Sequence, residues 1–143
     1  MLVSLSILVV DDSRAWRRSV CSILQKYLDA VIICETSDGM EAIRKSAELQ
    51  PDLVLLDINL PGLNGLEAAR RIRSLAPRSR IVFLSSYDWP ELSHEARDIG
   101  ALGFVVKSEA ARDLLPAIKN VLRDEQFFGS GFSPLDPTKR PHT

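Results

Sequence analysis

Histidine and cysteine are scarce in this chain, two of each in 143 residues. His94 and His142 are too few and too scattered for an imidazole metal centre or a nucleophile–histidine triad. Cys21 and Cys34 form no CxxC and have no histidine at ligand spacing, so zinc and dithiol chemistry drop out. Both read as reduced, buried cytosolic thiols. An excess of charge is missing too: 18 Lys and Arg stand against 19 Asp and Glu, a net charge of −1. A protein living by contacts with phosphate backbones wants a basic surplus, so direct nucleic-acid binding by this segment is not expected. No apolar stretch approaches the ~20 residues of a membrane helix, and no membrane partner is expected. The opening MLVSLSILVVDDS lacks a basic leader and a small-residue cleavage site, and its apolar run ends in two aspartates. That fits a core strand rather than a signal peptide, and a cytoplasmic location follows as the expectation.

What is present suits one globular domain with a real core, at 45% hydrophobic and 26% charged residues. Five short apolar runs stand out: LSILVV (5–10), AVIICE (30–35), DLVLLD (52–57), RIVFLS (80–85) and LGFVVK (102–107). They hardly alternate, as strands buried on both faces should not. Helix-length segments separate them. One stripe takes Trp16, Val20, Ile23, Leu24 and Tyr27; a weaker one takes Ala42, Ala47 and Leu49. Leu66, Ala69, Ile72 and Leu75 make a third, and Leu114, Leu115, Ile118, Val121 and Leu122 a strong last one. The segment from Trp89 to Ile99 is the least clearly patterned. Ser13 and Ser108 stand where N-caps belong, and Gly100 where a helix ends. Pro51, Pro61 and Pro77 fall in connections. Strict strand–helix alternation predicts an α/β fold, a parallel five-stranded sheet with helices on both faces. From about residue 126 the chain turns rich in Gly, Pro and Ser, which reads as a C-terminal tail or linker over 126–143 following a domain over 1–125. Phe127, Phe128 and Phe132 would anchor its start against the domain; a tail without any docking is the alternative.

The chemistry gathers at the strand ends. Asp11 and Asp12 end the first strand, Asp57 the third, Ser85 the fourth and Lys107 the fifth. In open parallel sheets ligands bind at this carboxyl edge, where strand order reverses. If the first and third strands are neighbours, about 4.8 Å apart, their terminal side chains converge. Two like charges ~4 Å apart repel by about 4 kcal/mol even at an effective dielectric of 20. Lys107 brings one positive charge against three negative ones, and a divalent ion with oxygen ligands, best Mg²⁺, would balance the rest. Taken singly, Asp11 and Asp12 read equally well as caps of the first helix and Asp57 as the cap of a turn. Taken together with Lys107 and Ser85, a shared pocket is the better account.

Asp11-Asp12, Asp57 followed by INLPGLNG, Ser85, and FVVK ending in Lys107 resemble the receiver domain of two-component response regulators, the CheY-like family. The resemblance covers roughly residues 3–124. It implies a flavodoxin-like (βα)5 doubly wound sheet with strand order 2-1-3-4-5. It also implies that Asp57 is the phosphoacceptor, taking a phosphoryl group from a sensor histidine kinase or phosphotransfer protein. Asp12, Asp57 and the backbone carbonyl of Asn59 would ligate Mg²⁺, with Asp11 acting mostly through water. Lys107 and Ser85 would each meet a phosphoryl oxygen, and Ser85 with Phe104 would form the switch; a plain core or surface aromatic on the fifth strand is the other reading of Phe104. The chain would then be a signalling switch acting on itself, not an enzyme with external turnover. The output surface would be the fourth helix, fifth strand and fifth helix, which is also where a homodimer would form.

Ser108 stands where many receivers have proline. Lys-Ser, LLPAIKNVL and the trailing EQFF are most similar to receivers of the NarL/FixJ class, which continue into a helix-turn-helix DNA-binding domain. A downstream effector beyond residue 143 and a stand-alone receiver are both open. Tyr87, two residues past Ser85, either overhangs the phosphoryl site and hinders water, or packs on the fourth helix. Arg14, Arg17 and Arg18 are either a solvated face or a kinase-docking patch. A phosphatase of the haloacid-dehalogenase type would need a second aspartate where Asn59 stands, and DDSRAW carries neither GxGxxG nor a P-loop. An interaction module working unphosphorylated remains the competing class.

Overall fold

The computed structural model describes residues 5–28 and 31–128. Ala30, Phe132 and most of the expected tail lie outside them. The elements alternate as β1 (Leu5–Val10), α1 (Arg14–Tyr27), β2 (Val31–Thr36), α2 (Gly39–Leu49), β3 (Leu53–Asp57), α3 (Gly65–Leu75), β4 (Arg80–Ser85), α4 (Pro90–Ile99), β5 (Gly103–Val106) and α5 (Ala110–Leu122). All strand pairings are parallel, in the order β2-β1-β3-β4-β5. The flavodoxin-like architecture and its strand order are as the resemblance implied.

Because successive strand residues face opposite ways, the sheet makes two cores. Leu8, Val10, Leu56, Phe83 and Phe104 face Ala42, Ile72 and Ala96 of α2, α3 and α4. Ile7, Val9, Leu55, Leu84 and Val105 face Val20, Leu24, Leu114 and Ile118 of α1 and α5. Every β3 residue is buried, which is why its sequence does not alternate.

Side-chain caps start three helices: Ser13 accepts from the Trp16 N–H, Asp38 from Glu41 and Asn64 from Glu67. The faintly patterned segment is nevertheless helical: Pro90 occupies the first turn of α4, and Gly100 closes it at φ 107°. Ser108 is not an N-cap. It lies inside a 3₁₀ turn, Lys107–Glu109, and α5 begins after Glu109 without a side-chain cap bond. Four stripe positions are also corrected. Tyr27 and Leu75 are exposed, each being the last residue of its helix, where it leaves the sheet. In α2 the buried face is Gly39, Ala42, Ile43 and Ser46, so Ala47 and Leu49 point outward. Cys21 and Cys34 are unpaired thiols but only half-buried, because both sit on outer elements of the sheet's β2 side.

The chain does not leave the domain at α5. Phe127 forms a parallel bridge with Gly103: its carbonyl accepts from the Phe104 N–H at 2.8 Å and its own N–H donates to Leu102 at 2.9 Å. Phe128 is buried in the same core as Phe104. No helix among the described residues is long and apolar enough to cross a membrane.

Candidate functional site

Register decides where the strand tips fall. Val10 pairs with Leu56, Asp57 with Leu84, and Ser85 with Val106, so the residues that follow β1, end β3 and β4, and follow β5 share one edge of the sheet. There, carboxylate oxygens of Asp11, Asp12 and Asp57 all lie within 4.8 Å of one another. Asp11 is 0% exposed and Asp57 2%, while Asp12 opens to solvent.

Each buried carboxylate is held. Asp11 Oδ1 accepts from the Ser13 N–H at 2.8 Å, and Arg17 donates to the Asp11 backbone carbonyl at 2.6 Å. Asp57 Oδ1 accepts from the Asn59 N–H at 3.0 Å. Lys107 Nζ lies 2.5 Å from Asp11 Oδ2 and 3.4 Å from Asp57 Oδ2. Burial pushes the Asp57 carboxyl above its ordinary range; the Asn59 N–H opposes this, Asp11 adds to it, and Lys107 opposes it.

The donor set fits a hard divalent cation. Three carboxylates against one ammonium leave two negative charges uncompensated, and apart from Lys107 the inner Asp11 Oδ2 has no hydrogen-bonding partner among the described residues. Oxygen donors, open on the Asp12 side to water, are the ligands Mg²⁺ prefers.

The other expected residues sort themselves by contact. Ser85 is buried, and its hydroxyl donates to the Tyr87 carbonyl at 2.9 Å and accepts from the Tyr87 N–H at 3.0 Å. The Tyr87 ring stacks on Trp89, the residue preceding α4, with centroids 4.5 Å apart. Phe104 is already buried, 2% exposed, beside Phe83. Arg17 is committed to Glu35 and the Asp11 backbone, whereas Arg14 and Arg18 are exposed. The contact that sequence reasoning missed is Trp16 with Lys107: the ammonium lies 5.2 Å from the indole centroid. No local signal joins them, because the pairing arises only when α1 and the end of β5 meet.

Residues 7–119 match the sequence profile of the response regulator receiver domain. The chain belongs to that family. This receiver is 36% identical over 118 residues to the transcriptional activator protein ExaE of Pseudomonas putida, covering 82% of this chain and 55% of that protein. It is 30% identical over 126 residues to the response regulator protein VraR of Staphylococcus aureus, covering 88% and 60%. The chain thus spans somewhat over half the length of these curated relatives. Among solved structures, a LuxR-family two-component response regulator from Aurantimonas sp. SI85-9A1 superposes with a TM-score of 0.81 at 31% identity, covering 92% of this chain and 91% of that one. The signal receiver domain of the putative regulator NarL from Mycobacterium tuberculosis gives 0.78 at 27%, covering 85% and 98%. Receivers act as signalling switches and generally bind Mg²⁺ at an acidic cluster of this kind.

Proposed function

We infer that this receiver accepts a phosphoryl group on Asp57 from the phosphohistidine of a sensor histidine kinase or phosphotransfer protein. One observation carries the reading: the buried carboxylate of Asp57, ending β3, lies 3.4 Å from the Lys107 ammonium inside a three-carboxylate cluster. An Asp57 oxygen attacks phosphorus, the P–N bond breaks, and the imidazole leaves with its electron pair. Phosphoryl transfer needs mostly positioning and neutralised charge, and an ionised Asp57 needs no general base. Lys107 takes one phosphoryl oxygen, and the Ser85 hydroxyl turns from Tyr87 to another. Asp12, Asp57 and the Asn59 backbone carbonyl would hold Mg²⁺, with Asp11 acting through water. Bound there, the ion supplies the remaining positive charge.

The Ser85 hydroxyl has one proton, so donating to a phosphoryl oxygen gives up its bond to the Tyr87 carbonyl and loosens the β4–α4 loop. Phe104 needs no large inward rotation, being buried already; it serves as the rigid neighbour through which the change reaches α4, β5 and α5. That surface would be the output face and a site for homodimer formation. The relatives extend beyond this segment, and an effector or DNA-binding domain following residue 143 is part of the proposal. The chain acts on itself and turns over no external substrate.

The test is intact-protein mass after incubation with Mg²⁺ and acetyl phosphate, beside Asp57→Asn and an EDTA control. A gain of one phosphoryl group in the parent protein alone is expected. Its absence in a folded protein would point to an interaction module that works unphosphorylated.

A further inference from the structure

Among the described residues the Lys107 ammonium meets two carboxylates and one aromatic ring. It is 2.5 Å from Asp11, 3.4 Å from Asp57, and 5.2 Å from the centroid of the Trp16 ring. A lysine stem has four rotatable carbons, and its strongly hydrated head moves into water unless something holds it back. An indole face, negative at its centre, attracts an ammonium and closes one side of its space.

Packing alone does not ask for tryptophan here. Trp16 is half-buried at the margin of the α1–α5 core, and its Nε1 is buried with no hydrogen-bond partner among the described residues. A buried N–H without a partner is costly and calls for a reason. Leucine or phenylalanine would cover the same part of α1 with no orphan donor. What tryptophan adds is the broad face turned to Lys107.

The geometry points to Trp16 as a positioning residue for phosphoryl transfer: its ring keeps the Lys107 ammonium between Asp11 and Asp57 before the phosphoryl group arrives. This role rests on Asp57 being the acceptor. Trp16 acts through Lys107. At rest the ammonium leans on Asp11 rather than Asp57. To serve the phosphoryl group it must shift toward Asp57. Attraction to a ring face is far less directional than a hydrogen bond, so the ammonium keeps this partner while it shifts.

Phosphoryl uptake from acetyl phosphate with Mg²⁺ is followed by intact mass in the parent protein, Trp16→Leu, Trp16→Phe, Lys107→Gln and the double variant Trp16→Leu/Lys107→Gln. Urea unfolding of the same set in EDTA reports the contact without any chemistry. Trp16→Leu is expected to slow uptake about threefold to tenfold, the range a partly exposed cation–π contact supports, with only a small shift in urea midpoint, because removing the orphan Nε1 donor offsets the lost contact. Trp16→Phe keeps a ring and should fall between Trp16→Leu and the parent. In the Lys107→Gln background Trp16→Leu should add nothing, and the urea midpoints should be non-additive. Equal losses for Trp16→Leu and Trp16→Phe, the same slowing in the Lys107→Gln background, or additive midpoints would overturn the role while leaving Asp57 as acceptor. No mass gain by the parent protein overturns the acceptor reading, and this role with it.

Discussion

Gly65 leaves no space for a side chain against Asp57. A Cβ built on it would fall 2.7 Å from Ile58 Cα and closer still to the Asp57 carbonyl oxygen, where the Gly65 N–H also donates to the Ile58 carbonyl at 2.8 Å. The start of α3 is thereby pressed directly onto the end of β3, which fixes the backbone of Asp57, the proposed acceptor. Gly65→Ala must push the two elements apart, at a cost of about 1–3 kcal/mol for overpacking. Urea unfolding should show that loss. Phosphoryl uptake should fall further than the fraction folded does, because the carboxylate itself is displaced. A variant with parent-like uptake per folded molecule would show that the contact serves packing only.

How far the sequence discloses this arrangement depends on whether a feature is local. The strands were readable because Val, Ile and Leu run without alternation, and Ser13 and Gly100 were readable as caps because capping is settled within a few residues. Asp11, Asp12, Asp57 and Lys107 could be placed together because parallel topology sends every strand tip to one edge. The misreadings are of another kind. Ser108 looked like a cap, but the chain spends one 3₁₀ turn before α5, a choice set by how the end of β5 meets that helix. Ala47 and Leu49 looked buried because the small residues of α2 give a weak stripe whose phase tertiary packing decides. The Trp16–Lys107 contact is wholly tertiary. The tail showed three aromatics without saying that Phe127 would add a bridge to β5.

That bridge yields a direct prediction. Truncation after Glu125 removes the carbonyl that accepts from the Phe104 N–H, and with it the buried Phe128 ring. Phe128→Ala should cost roughly 3 kcal/mol, as core Phe deletions do. Hydrogen exchange of the Phe104 amide should accelerate in the truncated protein well beyond the change at Leu56, in the sheet's centre. Equal changes at both amides would mean that the segment only adds global stability.

The phosphoryl lifetime should depend on Tyr87. Its ring stacks on Trp89, and its backbone holds the Ser85 hydroxyl at rest. If the ring hinders attacking water, phosphorylated Tyr87→Ala will lose phosphate faster than the parent protein. Trp89→Ala, which removes the stacking partner, should shift the rate the same way by less. Decay followed by intact mass decides it, and an unchanged rate in Tyr87→Ala sinks the idea.

Cys21 offers a check by pH, away from the acidic site. Burial pushes its thiol from an ordinary value of 9.0 up to about 11, with the charge of Glu35 and a hydrogen bond to it adding to the rise and Arg17 opposing it. The thiolate is the reactive form, so at pH 8 alkylation should be on the order of a hundredfold slower than for an ordinary exposed thiol. Glu35→Gln should speed it. The sign for stability follows from proton binding. Between 9.0 and about 11 the folded protein keeps a proton that the unfolded chain has released, so stability falls as pH rises through that window and is full below it. Cys21→Ser should flatten that part of the stability profile. Rapid alkylation of Cys21 at pH 8, resolved from Cys34 by peptide mass, would mean that the thiol is not held in this environment.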